Sequence, residues 1–302
     1  MTAQAQAAAF RINPARAWWM AVRVPTLPAA VVPVLVGSAL AARDHRFSSA
    51  IFIAVLAASV LIQIGTNLTN DLADFRKGAD TSERVGPIRV TQAGILSPRA
   101  VATGSVVSFG LATALGIYLA IQGGWPIVAV GVACVLAGIT YTAGPWPYGY
   151  HALGDLICFI FFGLVAVLGT YYLYARALTA LAWLLSLPVA ALVTAILVVN
   201  NLRDLQTDQR TGKHTLATII GRTGTQLEYF ALLASAYLVV LIVVARREAQ
   251  PWALLAWLTL PMAARLAREL RAKQGAALNP VLKATARLHL LFGLLLALGL
   301  IL

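Results

Sequence analysis

Residues 54–67, AVLAASVLIQIGTN, carry no charge, and the segment from Asp71 to Arg89 then carries eight: Asp71, Asp74, Arg76, Lys77, Asp80, Glu83, Arg84 and Arg89. The same alternation of long apolar runs and short polar intervals governs the whole chain. Runs long enough to cross about 30 Å of hydrocarbon, which takes roughly 20 helical residues, fall at 22–42, 48–70, 99–121, 125–143, 153–175, 180–202, 228–245, 250–265 and 286–302. The pattern predicts an all-α, polytopic membrane protein of about nine transmembrane helices in a single domain spanning 1–302. Residues 1–20 form a tail, and 71–98 and 203–227 are the principal polar loops. The first run, VPTLPAAVVPVLVGSALAA, ends in small residues as a signal peptide does. Its length and three prolines mark it instead as a retained span. The eighth is the shortest, WALLAWLTLPMAA, and holds a proline, which a bundle tolerates where neighbouring helices re-satisfy the backbone.

Composition agrees: 60% of the 302 residues are hydrophobic and 11% charged, against roughly 25% charged in a soluble domain. The net charge of +12 reads as the excess of Lys and Arg that retains loops in the cytoplasm, and a nucleic-acid partner is not expected. Of the 23 Lys and Arg, eighteen lie on the side of the N-terminal tail, the 71–99 loop, the loop after 202 and residues 265–287. Five lie on the other side: Arg43, Arg46, Arg176, Arg246 and Arg247. The imbalance places the N-terminus and the polar loops in the cytoplasm, in a multi-pass protein of the cell (inner, cytoplasmic) membrane. Cys134 and Cys158 lack metal-ligand spacing and read as small buried hydrophobes.

The acids are as unevenly placed as the cations. Seven of eleven (Asp71, Asp74, Asp80, Glu83, Asp155, Asp204 and Asp208) fall at the cytoplasmic ends of spans two, five and six, and acids so close to hydrocarbon are a functional signal. Span two closes on N67-L-T-N70-D71-L-A-D74 and span six on N200-N201-L-R-D204-L-Q-T-D208. Residues four apart share a helix face, which pairs Asn67 with Asp71, Asn70 with Asp74, Asn200 with Asp204, and Asp204 with Asp208. Hard oxygen ligands without His or Cys suit Mg²⁺, which takes one or two carboxylates and completes its shell with water and phosphate. Two such clusters flanked by Lys and Arg describe a diphosphate clamp. The competing reading has Asn and Asp capping the adjoining helix or loop, with the cations as loop anchors; the repetition of the pattern on one side of the membrane favours the clamp.

These residues resemble a known family. Asn70-Asp71-x-x-Asp74 and Asp204-x3-Asp208-x3-Gly212-Lys213 are similar to the two signatures of UbiA-type intramembrane prenyltransferases. KGADTSERVGPIRVTQAG, YTAGPWPYGYHALGD (141–155), FFGLVAVLGTYY (161–172) and NNLRDLQTDQRTGKHTLA (200–217) resemble the branch that acts on 1,4-dihydroxy-2-naphthoate. The resemblance covers the chain from about residue 15 onward. It implies a nine-span bundle around a central cavity open to the cytoplasm, in which a polyprenyl group passes from its diphosphate to the naphthoate, with loss of CO₂, in menaquinone biosynthesis. Mg²⁺ would be held by Asn70, Asp74, Asp204 and Asp208, with Asn67, Asp71 and Asp80 as further candidates. Lys77, Arg84, Arg89 and Lys213 would hold diphosphate, and Arg84 or Arg89 the acceptor carboxylate. The rings of Tyr141, Phe161, Phe162, Tyr171 or Tyr172 are candidates to face an allylic cation, and His151 with Asp155 could shuttle a proton. One departure stands: where many superfamily members carry a third carboxylate four residues past the position of Asp74, this chain has Gly78, with Asp80 two residues later.

Two alternatives remain at this level. A relative with another acceptor, such as 4-hydroxybenzoate, would share the aspartates and differ in the loop stretches. A secondary transporter would place its acids near the bilayer midplane, not at span ends. The sidedness argument is testable directly: single Cys substitutions at positions 80 and 213 should react with a membrane-impermeant maleimide only from the cytoplasmic face, and labelling from outside would invert the topology.

Overall fold

The computed structural model describes residues 12–78 and 85–302, and among these the chain is helical apart from short connections. Proline at a first helical position, where its missing N–H costs nothing, opens α1 (Pro14–Val22), α2 (Pro28–Arg43) and α4 (Pro98–Gly123). Ser97 caps α4 by accepting from the Ala100 N–H at 3.2 Å. Thr179 does the same for Ala182 at the start of α7 (Ala180–Arg210), and Thr215 forms a capping box with Thr218 at the start of α8 (Leu216–Ala245). Between them lie α3 (Ser49–Arg76), α5 (Trp125–Thr140) and α6 (Gly154–Ala175), the last with a π-helical stretch at Phe159–Val165. A 3₁₀ segment, Pro251–Thr259, leads into α9 (Leu260–Ala272), and α10 (Asn279–Ile301) completes the bundle. Gly124, at φ 73°, is both the C-cap of α4 and the N-cap of α5. A side chain there would strain the reversal.

Among the described residues six segments are long and apolar enough to cross a membrane: α3, α4, α6, α7, α8 and Gly275–Ile301. A seventh is the bent pair Pro14–Thr26 and Pro28–Arg43, broken by 53°. This is an all-α, multi-pass membrane protein. The expectation of nine spans is met more coarsely, because α5 is a short apolar helix of 16 residues and the run at 250–265 divides into 3₁₀ and α pieces. The helices also overrun the boundaries drawn from hydropathy. α3 continues to Arg76 and α7 to Arg210, so Asp71, Asp74, Asp204 and Asp208 stand on helices, and most of 203–227, expected as a loop, is helical on either side of 211–215.

The core gathers around α7, the most deeply buried of the six long helices. Leu185, Leu192 and Val198 pack there with Val32 and Leu40 of α2, Tyr229 of α8, and Leu288 and Phe292 of α10. Three pairs of polar groups inside the bundle are matched across helices, as hydrocarbon favours: Tyr229 with Thr285 at 3.0 Å, Tyr237 with Thr259 at 2.7 Å, and Ser38 with Tyr174 at 3.0 Å. Gly163, inside the π-helical stretch, lies directly against the backbone of Ala190. Gly163→Val should therefore lower unfolding stability by about 1–3 kcal/mol, as overpacking does, read as a fall in melting temperature in detergent. Gly131→Ala on α5, where nothing lies within 4 Å, should melt as the parent does. Equal melting of both variants would contradict this packing.

Candidate active site

The last turns of α3 and α7 face one another across a cavity of about 310 Å³. Asn67, Asn70 and Asp74 line one wall and Asn200, Asp204 and Asp208 the other, as helical spacing of the two motifs dictates. Each carboxylate is held by a donor. Asp74 accepts from Arg89 Nη2 at 2.8 Å and from the Tyr150 hydroxyl at 2.9 Å. Arg203 grips Asp204 through two nitrogens, with its Nε 2.8 Å from Oδ1, and also donates to Asn200 and to Asn279 Oδ1. Lys213 stands 3.6 Å from Asp208. Asn70 Oδ1 accepts from the Thr142 hydroxyl at 2.7 Å. Asn67 Nδ2 donates to Val22 O and Thr26 Oγ1, both at 2.9 Å, and so grips the chain just before the break that leads into α2.

The connections complete the site. His151 and His214 pair as an isolated bridge, with the Ala152 N–H donating to His214 O at 2.8 Å. This joins the segment before α6 to the segment after α7. It sets the Tyr150 ring beneath two ammonium groups, Lys77 Nζ at 4.6 Å and Lys213 Nζ at 5.5 Å from the centroid, a favourable cation–π geometry. Lys77 also donates to Thr142 O at 2.7 Å. Deeper in, the cavity turns apolar, lined by Tyr141, Phe161, Phe162, Ile196 and Leu197. Burial pushes the Tyr148 phenol up, so it is neutral at physiological pH.

Of the residues singled out from the sequence, the cavity gathers Asn67, Asn70, Asp74, Arg89, Tyr141, Asp204, Asp208 and Lys213. Lys77 stands beside it. Asp71 turns the other way, accepting the Thr91 N–H at 3.1 Å and lying 3.8 Å from Arg23. It thus fixes the polar segment after Arg84 to α3, and the pairing of Asn67 with Asp71 on one face does not extend to the cavity wall. Asp80 and Arg84 fall outside the described residues. His151 and Asp155 do not form a pair: the imidazole Nδ1 meets Pro147 O at 2.9 Å and the ring stacks on Trp146, while Asp155 accepts from Asn201 at 3.3 Å. Tyr171 hydrogen-bonds Asp44 at the opposite end of the bundle. Cys134 and Cys158 are partly exposed on the cavity wall rather than fully buried.

Spacing alone missed Tyr150, Thr142, Arg203 and Arg23. Adjacent helical residues do not share a face, so nothing marked Arg203 as the partner of Asp204. Tyr150 belongs to a 3₁₀ turn, Tyr148–Tyr150, where helical periodicity is silent. The donor set suits magnesium. Among the described residues no three of His, Cys, Asp or Glu converge on one point. Oxygen pairs instead face one another across the cavity, leaving the remaining positions to water and a phosphate ligand, as this ion prefers.

Residues 30–300 match the pattern of the UbiA prenyltransferase family. The chain belongs to this family. It is 36% identical over 281 residues to the 1,4-dihydroxy-2-naphthoate octaprenyltransferase of Mycobacterium tuberculosis, covering 93% of this chain and 95% of the relative. It is 33% identical to the human UbiA prenyltransferase domain-containing protein 1, over 94% and 82% of the two chains. The UbiA bundle is recovered in three dimensions as well. A UbiA homolog from Aeropyrum pernix superposes with a TM-score of 0.69 at 15% identity, covering 95% of this chain and 98% of that one. A homolog from Archaeoglobus fulgidus, bound to DMAPP and Mg²⁺, does so with 0.65 at 13% identity, covering 92% and 98%.

Asp71 holds a buried backbone N–H, and leaving such a donor without its acceptor costs about 1–3 kcal/mol. Asp71→Ala should therefore melt lower than the parent in detergent, whereas Asp208→Asn, at the cavity surface, should melt near it. Equal melting of the two would show that Asp71 does not anchor the segment carrying Thr91.

Proposed function

We propose that this UbiA-family chain transfers a polyprenyl group from its diphosphate to 1,4-dihydroxy-2-naphthoate, releasing diphosphate and CO₂, in menaquinone biosynthesis. The observation that carries the reading is the pair of aspartate motifs facing each other across one cavity whose deeper wall is apolar and aromatic. The naphthoate acceptor is supported by bacterial relatives named for that activity, among them those of M. tuberculosis (36% identical) and Escherichia coli (31%).

Asn70, Asp74, Asp204 and Asp208 would hold Mg²⁺. When bound, the metal supplies Lewis-acid stabilisation of the diphosphate leaving group. Lys213 and Arg89, on opposite walls, bind the remaining phosphate oxygens as charge accumulates there. Tyr150 orients Asp74 through its hydroxyl and carries Lys77 and Lys213 on its ring face. Arg203 fixes the direction of the Asp204 carboxylate. Asp71 acts from outside the cavity by anchoring the Thr91 segment. As the allylic C–O bond breaks, the apolar wall excludes water from the carbon that becomes electron-deficient. Tyr141, Phe161 and Phe162 present π faces toward it. The acceptor ring supplies the electron pair for the new C–C bond at the carbon bearing its carboxylate. The electrons of the departing C–CO₂ bond then return to the ring.

The cavity opens to the cytoplasm in this reading, with eighteen of the 23 Lys and Arg on that side. Nine crossings are supported by connectivity. α4 leaves the aspartate end and α5 returns to it, since Thr142, just beyond α5, bonds Asn70. Pro251–Ala272 likewise returns from the end where Arg43 meets Glu248 O to the end where Arg222 meets Arg271 O. Nine 3₁₀ and thirteen α residues rise about 37 Å, enough to cross.

The deciding experiment offers 1,4-dihydroxy-2-naphthoate and 4-hydroxybenzoate in parallel, with a polyprenyl diphosphate, to membranes containing the protein. The expected outcome is prenylation of the naphthoate alone, with CO₂ release, abolished reversibly by EDTA and lost in Asp74→Ala and Asp208→Ala although both insert. Transfer to 4-hydroxybenzoate instead would overturn the acceptor, and transfer surviving EDTA would overturn the metal.

A further inference from the structure

Away from the aspartate cavity, an open groove of about 390 Å³ runs between α8 and α9. Its floor and sides are apolar, with Leu233 and Tyr237 from α8 and Ala263, Ala264 and Ala267 from α9. Its charged end holds two arginines, Arg268 and Arg271, the latter with its guanidinium 4.7 Å from the Phe230 ring centroid. That end is the aspartate end of the bundle. The carbonyls of Arg271 and Lys273 accept from Arg222, near the start of α8, both at 2.9 Å. From Phe230 to Tyr237 the groove follows α8 for about 10 Å toward the middle of the bundle.

Charge sets the occupant. The one acid of α9, Glu269, is taken by its neighbours: Arg265 Nε and Lys273 Nζ each lie 2.7 Å from its oxygens. Among the described residues neither Arg268 nor Arg271 has a carboxylate partner, and both are exposed. The groove is thus an apolar channel headed by two guanidiniums with no carboxylate partner among the described residues, at the aspartate end of the bundle. α9 buries Ala263, Leu266 and Leu270 inward and leaves Arg265 and Arg268 exposed toward the aspartate end of the bundle. Basic pockets between membrane helices bind anionic headgroups.

We propose that this groove is a binding site for one anionic phospholipid of the surrounding bilayer. Its phosphodiester sits between Arg268 and Arg271, and one acyl chain lies along the alanine-lined floor. A phosphodiester carries a single negative charge, which two guanidiniums satisfy without a metal. No carboxylate lines this groove, so it lacks the oxygen donors that a metal-bound diphosphate would require. The site is therefore distinct in chemistry from the aspartate cavity, and the proposal does not depend on which acceptor the protein prenylates.

The test is native mass spectrometry of the full-length protein, purified in neutral detergent and supplied with phosphatidylglycerol or phosphatidylcholine of identical acyl chains. The expected result is one retained phosphatidylglycerol, held about thirty-fold more tightly than the zwitterionic phosphatidylcholine, as two cations facing a headgroup with no ammonium to offset its phosphate imply. Arg268→Gln with Arg271→Gln should reduce phosphatidylglycerol to the level of phosphatidylcholine, whereas Arg268→Lys with Arg271→Lys should keep most of the preference. Ala264→Trp, which fills an exposed part of the groove, should reduce retention of both lipids while the protein melts as the parent does. Equal retention of the two lipids by the parent would overturn the proposal. So would undiminished phosphatidylglycerol in either the double Gln variant or Ala264→Trp, or displacement of the lipid by equimolar polyprenyl diphosphate.

Discussion

A carboxylate inside a membrane bundle must be matched by a donor, because an unpaired charge shielded from water costs several kcal/mol. That constraint organises the functional end of this protein. Asp74 is met by Arg89 and Tyr150, Asp204 by Arg203, Asp208 by Lys213, and Asp71 by Arg23 and the Thr91 N–H. Apart from Arg203, which adjoins Asp204, the donors come from other segments or from the connections that follow the two helices, so satisfying the acids folds the connections around them. Arg89 and Thr91 bring in the segment after α3, Tyr150 the segment before α6, and Lys213 the segment after α7. The bridge between His151 and His214 then closes the last two on each other.

In the proposed reaction the same pairs supply the chemistry. An arginine beside a carboxylate is both a neutralising partner and a ready phosphate ligand. A polyanion with its metal can therefore enter by exchanging partners rather than by exposing bare charge. Asp71 and Arg203 play the supporting part, one tying down backbone and the other setting the direction of a neighbour. The aromatic wall beyond them is apolar, and an apolar wall protects an electrophile from water. In the proposed reaction, stability and catalysis draw on one arrangement.

Much of this was legible from the chain. The i, i+4 recurrence in N67-L-T-N70-D71-L-A-D74 and N200-N201-L-R-D204-L-Q-T-D208 set Asn70 with Asp74, and Asp204 with Asp208, on the walls of one cavity. Apolar run lengths located both ends of α4 and α6, and the starts of α3 and α7, to within two residues. Hydropathy closed the helices too early, because polar residues at the ends of α3 and α7 still satisfy their backbone helically. It also gave no sign that Pro251–Thr259 winds as 3₁₀. Helical phase could not say whether Asp71 shares the cavity with Asn67; Thr91, twenty residues on, decides that. The partners in irregular segments, Thr142 and Tyr150, were illegible for a similar reason: only the tertiary fold brings them to Asn70 and Asp74.

The central claim is that the two aspartate motifs make one diphosphate site rather than two independent clusters. Calorimetric titration of the purified protein with a non-hydrolysable polyprenyl thiodiphosphate in the presence of Mg²⁺ tests it most directly. The account predicts a single metal-dependent binding event in the parent and its loss in either Asp74→Ala or Asp208→Ala alone. Parental affinity retained by one of those variants would contradict it.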